Sequence, residues 1–149
     1  MADLEVVVAG GGNAALCAAI TAREKGAAVT LFESAPENMR GGNTRHTRNL
    51  RASHAEPLET LEDSYTEDEF WDDILKVTHG NTDETLTRLM IRQSPLLLSW
   101  LKARDVHFQP ALSGTLSLHR TNAFFLGGGK TLLNKLYSHA EKIGVSVIY

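Results

Sequence analysis

The chain has 149 residues, enough for one domain with a hydrophobic core and no more. Hydrophobic residues make up 42% and charged residues 22%, and the net charge of −3 comes without runs of like charge, so neither nucleic acid nor a membrane surface is an expected partner. The single cysteine, Cys17, cannot form an internal disulfide, and no apolar run reaches the ~20 residues that span a bilayer, so a reducing, cytoplasmic setting without membrane insertion is expected.

Leu4 to Ala9 is short, apolar and β-branched, the pattern of a buried parallel strand. It starts so close to Met1 that no signal peptide is expected. Ala14 to Lys25 is alanine-rich and closes at Gly26, which predicts a helix with Cys17 as a small buried residue. Ala28 to Phe32 predicts a second strand, ending in Glu33, so that residues 1–33 form a βαβ unit. The polar stretch from Pro36 to Glu62 predicts a long loop with little regular structure, and such loops are commonly functional.

Thr66 to Glu69 is a capping box ahead of a helix carrying Phe70, Trp71, Ile74 and Leu75. Thr82 begins another helix, with Leu86, Leu89 and Met90 on one face, and Pro95 either opens a fresh helix or kinks this one before it continues from Leu96 to Ala103. Trp71 and Trp100 fall on apolar faces and are expected in the core. Val106 to Gln109, Thr115 to Leu118 and Asn122 to Phe125 predict short strands. Gly127 to Gly129 leads into a helix from Lys130 to Lys142, stopped at Gly144, and Val145 to Tyr149 is a last strand. A chain ending on a strand reads as cut from something longer. His54, His79, His107 and His139 have no metal-ligand spacing, and no metal site is expected.

Gly10-Gly11-Gly12-Asn13-Ala14-Ala15 fits the dinucleotide pattern G-x-G-x-x-A between the first strand and the first helix. Gly10 permits the tight turn, Gly12 lets a pyrophosphate approach the backbone, and Ala15 lets helix and strand pack closely. The pyrophosphate then meets the free N–H groups and positive dipole of the helix start. Glu33 is placed to accept from ribose hydroxyls and disfavours the extra phosphate of NADP. The pattern by itself does not separate FAD from NAD. Gly127-Gly128-Gly129-Lys130-Thr131 lacks the four-residue spacing of a phosphate loop and reads as a turn and helix start.

Arg40-Gly41-Gly42-Asn43-Thr44 follows, and here the sequence resembles the fumarate reductase and succinate dehydrogenase flavoprotein superfamily. The run from Gly41 to Arg51, with Leu112 to Leu116 and Arg120 to Phe125, is most similar to its tricarballylate dehydrogenase branch. The resemblance implies a Rossmann-like α/β FAD-binding domain, a parallel sheet flanked by helices. It is the N-terminal portion only, without the cap domain: a dinucleotide unit at 1–33, a flavin-facing loop at 34–62, and a helical segment at 63–149 returning to a glycine turn, helix and strand. It also implies FAD contacts from Gly10, Gly12, Asn13, Ala14, Ala15, Glu33, Ser34, Arg40, Gly41, Gly42, Asn43 and Thr44.

The reaction implied is hydride transfer between a carbon next to a carboxylate and flavin N5, oxidising a tricarballylate-type polycarboxylate or reducing a fumarate-like double bond. Electrons would pass to a separate iron–sulfur or haem protein. The family's proton-donor arginine lies outside the matching segment, so no catalytic acid is assigned. A family histidine that bonds FAD aligns nearer Asn43 than His46, which implies noncovalent FAD. His46, Arg48, Arg51 and Arg120 are the substrate candidates, with Arg45 and His119 beside them; guanidinium forks suit carboxylates, and solvated loop charges are the plainer reading. Two alternatives stay open: an NAD-binding dehydrogenase domain, and a non-catalytic nucleotide-binding fragment.

Overall fold

The computed structural model describes residues 4–111 and 118–149. The Leu112 to Leu116 motif and most of the strand expected at Thr115 to Leu118 lie outside them; Leu118 itself opens a 3₁₀ turn, Leu118–Arg120. The described residues form two compact units, one of the residues up to Thr47 with Gly127–Tyr149, the other Arg48–Leu126. The division at Thr47 falls within the 34–62 stretch.

The first unit is built on a parallel three-stranded sheet. Strand β1 (Glu5–Ala9) leads through helix α1 (Asn13–Glu24) to β2 (Ala28–Phe32), and helix α4 (Gly128–Lys142) leads to β5 (Ser146–Ile148). The order is β1-β2-β5, with Val7 opposite Thr30 and Thr30 opposite Ser146. One sheet face supplies the buried Val29 and Leu31, and the helices bury Leu16, Ala19 and Ile20 from α1 with Leu132, Leu133, Leu136, Tyr137 and Ala140 from α4. The first strand is not the buried strand its composition predicts. Val7 is 70% exposed, and it shares the opposite face with Phe32 and Ile148, both also exposed. Composition reports that a strand is apolar on both sides; it does not report which side is covered.

In the second unit, helices α2 (Glu67–Thr78) and α3 (Glu84–Lys102) accompany an antiparallel pair, β3 (Asn49–Arg51) with β4 (Asn122–Phe124). The expected loop from Pro36 to Glu62 therefore holds more structure than its polarity suggests: 3₁₀ turns at Glu37–Met39 and Gly42–His46, β3, and bridges pairing His54 with Tyr65 and Leu58 with Leu61. The Val106 to Gln109 strand reduces to one bridge, Phe108 to Phe125.

The capping box forms as expected: Thr66 Oγ1 accepts from Glu69 N at 3.2 Å, and Thr66 N donates back to Glu69 Oε2 at 2.9 Å. Pro95 lies inside one continuous 19-residue helix, α3, rather than opening a second one. A helical proline leaves the carbonyl four residues earlier without its N–H partner. That carbonyl, Ile91 O, accepts instead from Ser94 Oγ at 2.7 Å and Ser53 Oγ at 3.2 Å. The expected apolar face of α3 is the wrong one. Leu86, Leu89 and Met90 are exposed, and the buried stripe is Thr87, Ile91, Ser94, Leu98 and Leu101. Ile91 packs with Tyr65 and Phe70. The tryptophans are half-buried rather than core, each under a guanidinium: Arg88 at 4.3 Å from the Trp71 ring and Arg104 at 3.7 Å from that of Trp100. Cys17 is likewise half-buried.

Candidate functional site

The glycine turn is positioned by the sheet. Gly10 N donates to Phe32 O at 2.7 Å, extending the β1–β2 ladder one step past the strand, and Gly10 then leaves it with φ +101°. That conformation is open to glycine at little cost. Glu33 N donates to Ile148 O at 2.8 Å, which places the acid at the strand end beside the same turn.

Gly11 and Gly12 are glycines for different reasons. A Cβ on Gly11 would collide with the hydroxyl of Tyr137 and lie 2.5 Å from Glu33 Oε2. Gly12 has extended backbone (φ −77°, ψ −178°), and a Cβ there would meet only Thr44 Oγ1 at 3.5 Å and Gly41 O at 3.7 Å, ordinary contact distances. Neither backbone nor protein packing requires glycine at position 12, so the bare surface is available to something outside the chain.

The start of α1 is correspondingly open. Its N-cap, Gly12, offers no side-chain cap and its first turn holds no acid, unlike α2 and α3, which start on Thr66 and Asp83 caps. Asn13 N donates to Thr44 Oγ1 at 3.1 Å. Ala14 and Ala15 lie in the first turn, where backbone N–H groups lack intrahelical partners and favour an anion.

Glu33 ties the second loop to the first. It is 8% exposed, accepts from Ala35 N at 2.9 Å through Oε1 and from Gly41 N at 3.0 Å through Oε2, and is also bonded by Ser34. Burial is the largest single influence and raises its pKa, but the N–H groups of Ala35, Gly41 and Ser34 together with the Ser34 hydroxyl outweigh it and hold the carboxyl below its usual range. The buried end of the turn is thus a carboxylate held by hydrogen bonds from its own loop. Gly41 adopts φ +100°, and a Cβ on it would collide with Leu133 of α4. Gly42 and Asn43 are exposed on the 3₁₀ turn that ends at His46.

Tyr137 was not singled out by the sequence. Its buried hydroxyl donates to Gly11 O at 2.9 Å, and Arg40 lies over its ring with the guanidinium carbon 3.9 Å from the centroid. The available signal was a phenol within the apolar stripe of a helix, which needs a hydrogen-bond partner when buried. Arg40 also contacts Glu37 and Glu141, each at 3.7 Å, and the Tyr149 hydroxyl.

Two of the substrate-candidate arginines in the second unit, Arg51 and Arg120, are already paired. Arg51 meets Asp73 at 3.1 Å and the Tyr65 hydroxyl at 3.2 Å, while that hydroxyl donates to Asp73 at 2.8 Å. Burial first, and the Asp73 bond second, push the Tyr65 phenol up to about 12. Arg120 bonds Glu69 at 2.5 Å and lies 3.5 Å from Asp63. Arg48 and His46 are exposed, with no ion pair among the described residues. His119 packs on Phe124, ring centroids 5.0 Å apart. His54 is buried, its ring nitrogens facing Ala52 O and Glu62 O at 3.1 and 3.2 Å. Among the described residues, no group of three or more His, Cys, Asp or Glu is placed to hold a metal ion, and no helix is long and apolar enough to cross a membrane.

A parallel βαβ unit with a glycine turn, an uncapped helix start and an acid closing the second strand defines a dinucleotide-binding α/β domain. The chain belongs to the FAD binding domain family, which it matches over residues 5–143. That membership sets aside the NAD alternative. An NADH:fumarate oxidoreductase from Klebsiella pneumoniae (strain 342) is 29% identical over 150 residues, covering 97% of this chain and 16% of the relative. The fold is also similar to a 3-ketosteroid-delta4-(5alpha)-dehydrogenase from Rhodococcus jostii (TM-score 0.76, 21% identity, 99% of this chain and 38% of that one) and to Escherichia coli quinol fumarate reductase (TM-score 0.73, 13% identity, 97% and 26%). The chain thus spans well under half the length of these three proteins.

Proposed function

We propose that this chain is the FAD-binding portion of a flavin-dependent oxidoreductase acting on a polycarboxylate, oxidising a tricarballylate-type substrate to a cis-aconitate-type product or reducing a fumarate-like double bond. When bound, FAD supplies the N5 position that exchanges hydride with the substrate carbon. The chain's own residues hold and orient the cofactor, without a covalent bond. The bare backbone of Gly12 and the first-turn N–H groups of Ala14 and Ala15 receive the pyrophosphate. Glu33 and Ser34 take the ribose hydroxyls, and Arg40 to Thr44 carry the loop toward the ring system. Electrons leave to a separate iron–sulfur or haem protein. Supporting the polycarboxylate is the resemblance of the Gly41 to Arg51 run to the tricarballylate dehydrogenase branch.

The observation that carries the cofactor assignment is Gly12, a glycine that the protein itself does not need. Titrating the purified chain with FAD while following the flavin visible spectrum tests it. Saturable binding is expected for the wild type, and Gly12→Ala, which its backbone accommodates, should lose at least about tenfold in affinity, roughly 1.4 kcal/mol, with an unchanged melting temperature. Equal affinities would remove Gly12 from the cofactor site.

A further inference from the structure

Beside α4, in the first unit, lies a cleft of about 320 Å³ whose charged lining is lopsided. Arg40, Arg45 and Lys130 face it with Asn134, against a single carboxylate, Glu37. Arg40 forms part of the wall with its charge already shared between Glu37 and Glu141. Arg45 and Lys130 differ: among the described residues neither has a carboxylate partner.

Arg45 is nevertheless held in place. Its Nη1 donates to Asn38 O at 2.8 Å and Arg40 O at 3.4 Å, so two backbone carbonyls fix one edge of the guanidinium. The fork's other N–H groups remain, with the geometry that suits carboxylate or phosphate oxygens. Lys130 stands in the first turn of α4, a turn without an acid and with a glycine N-cap that makes no side-chain bond. A cation there opposes the helix dipole, and a bound anion would offset both. Asn134, one turn along, presents an amide on the same helical face.

Arg40 alone of these residues also belongs to the proposed cofactor loop, and the polar atom that the Gly42–His46 segment sends to the start of α1 is Thr44 Oγ1, not Arg45. The volume is at the small end of the range for small-molecule sites. We propose that this cleft binds a small polyanion carrying carboxylate or phosphate groups, gripped by Arg45 and Lys130 and oriented by Asn134, at a site separate from the dinucleotide cradle.

Calorimetric titration of the chain at physiological ionic strength, with citrate and with inorganic phosphate as probes, tests this. At least one probe should saturate a single site. Tighter citrate binding marks a polycarboxylate ligand, and tighter phosphate binding a phosphorylated one. Lys130→Gln, an exposed change that breaks no internal bond, should weaken the better probe at least fivefold with an unaltered melting temperature. Arg45→Gln should weaken it further, and saturating FAD should leave it bound. The proposal is overturned if neither probe gives saturable heat, if Lys130→Gln binds as well as the wild type, or if FAD displaces the probe and so makes the cleft part of the cofactor cradle.

Discussion

The hydroxyl of Tyr137 and the carbonyl of Gly11 are distant in sequence and buried together, so their bond joins the α4 helix to the turn that the cofactor is proposed to occupy. Its phenol is raised well above its usual value, chiefly by burial and then by the nearby Glu33 carboxylate. A group whose folded pKa is raised contributes stability that is complete below its unfolded pKa, near 10 for tyrosine, and that is lost as pH climbs through the folded value. Tyr137→Phe removes this dependence together with one neutral hydrogen bond, about 1 kcal/mol. At neutral pH the variant should therefore melt slightly below the wild type, and above pH ~10 the gap should narrow as the wild type loses the contribution. Melting curves that stay parallel across that alkaline range would show that Tyr137 does not couple ionisation to folding.

Helix α3 shows why some elements were legible and others were not. The dinucleotide turn is written in a few consecutive glycines and small residues, and the Thr66 capping box in four residues whose bonds close among themselves. The buried stripe of α3 is interrupted by Thr87 and Ser94, while its exposed side carries Leu86, Leu89 and Met90, so apolar spacing selected the solvent face. Ser94 is buried because it and Ser53 together serve the carbonyl that Pro95 leaves unpaired, and Ser53 lies 41 positions from Ser94. No local pattern encodes that arrangement, which is also why the sequence left the role of Pro95 open. The assignment of faces makes a sharp contrast. Ile91→Ala, deleting methyl groups from the Tyr65–Phe70 cluster, should cost about 2–5 kcal/mol in denaturant unfolding. Leu89→Ala should stay within roughly 0.5 kcal/mol, and the reverse order would mean that the outer face is the packed one.

The same distinction reaches the function. The turn and acid expected to meet the cofactor were legible as local structure because glycines at fixed offsets and a strand-end acid form a recurring pattern, whereas substrate groups on a loop are ordinary charged residues until their partners are seen. Arg51 and Arg120 have partners: Asp73 for the first, Glu69 and Asp63 for the second. A guanidinium already matched by a carboxylate has less charge to offer a polyanion, and the exposed Arg48 has no such match among the described residues. The polycarboxylate proposal therefore separates the two neighbours. In an active enzyme carrying this segment, Arg48→Gln should raise KM for tricarballylate several-fold while flavin content and melting temperature hold. Arg51→Gln should leave KM alone and lower the melting temperature by a few degrees, since its pair with Asp73 is half-exposed and solvent-screened to at most about 1 kcal/mol. If KM rises only in Arg51→Gln, the ion pair opens to receive substrate, and Arg48 is a solvated loop charge.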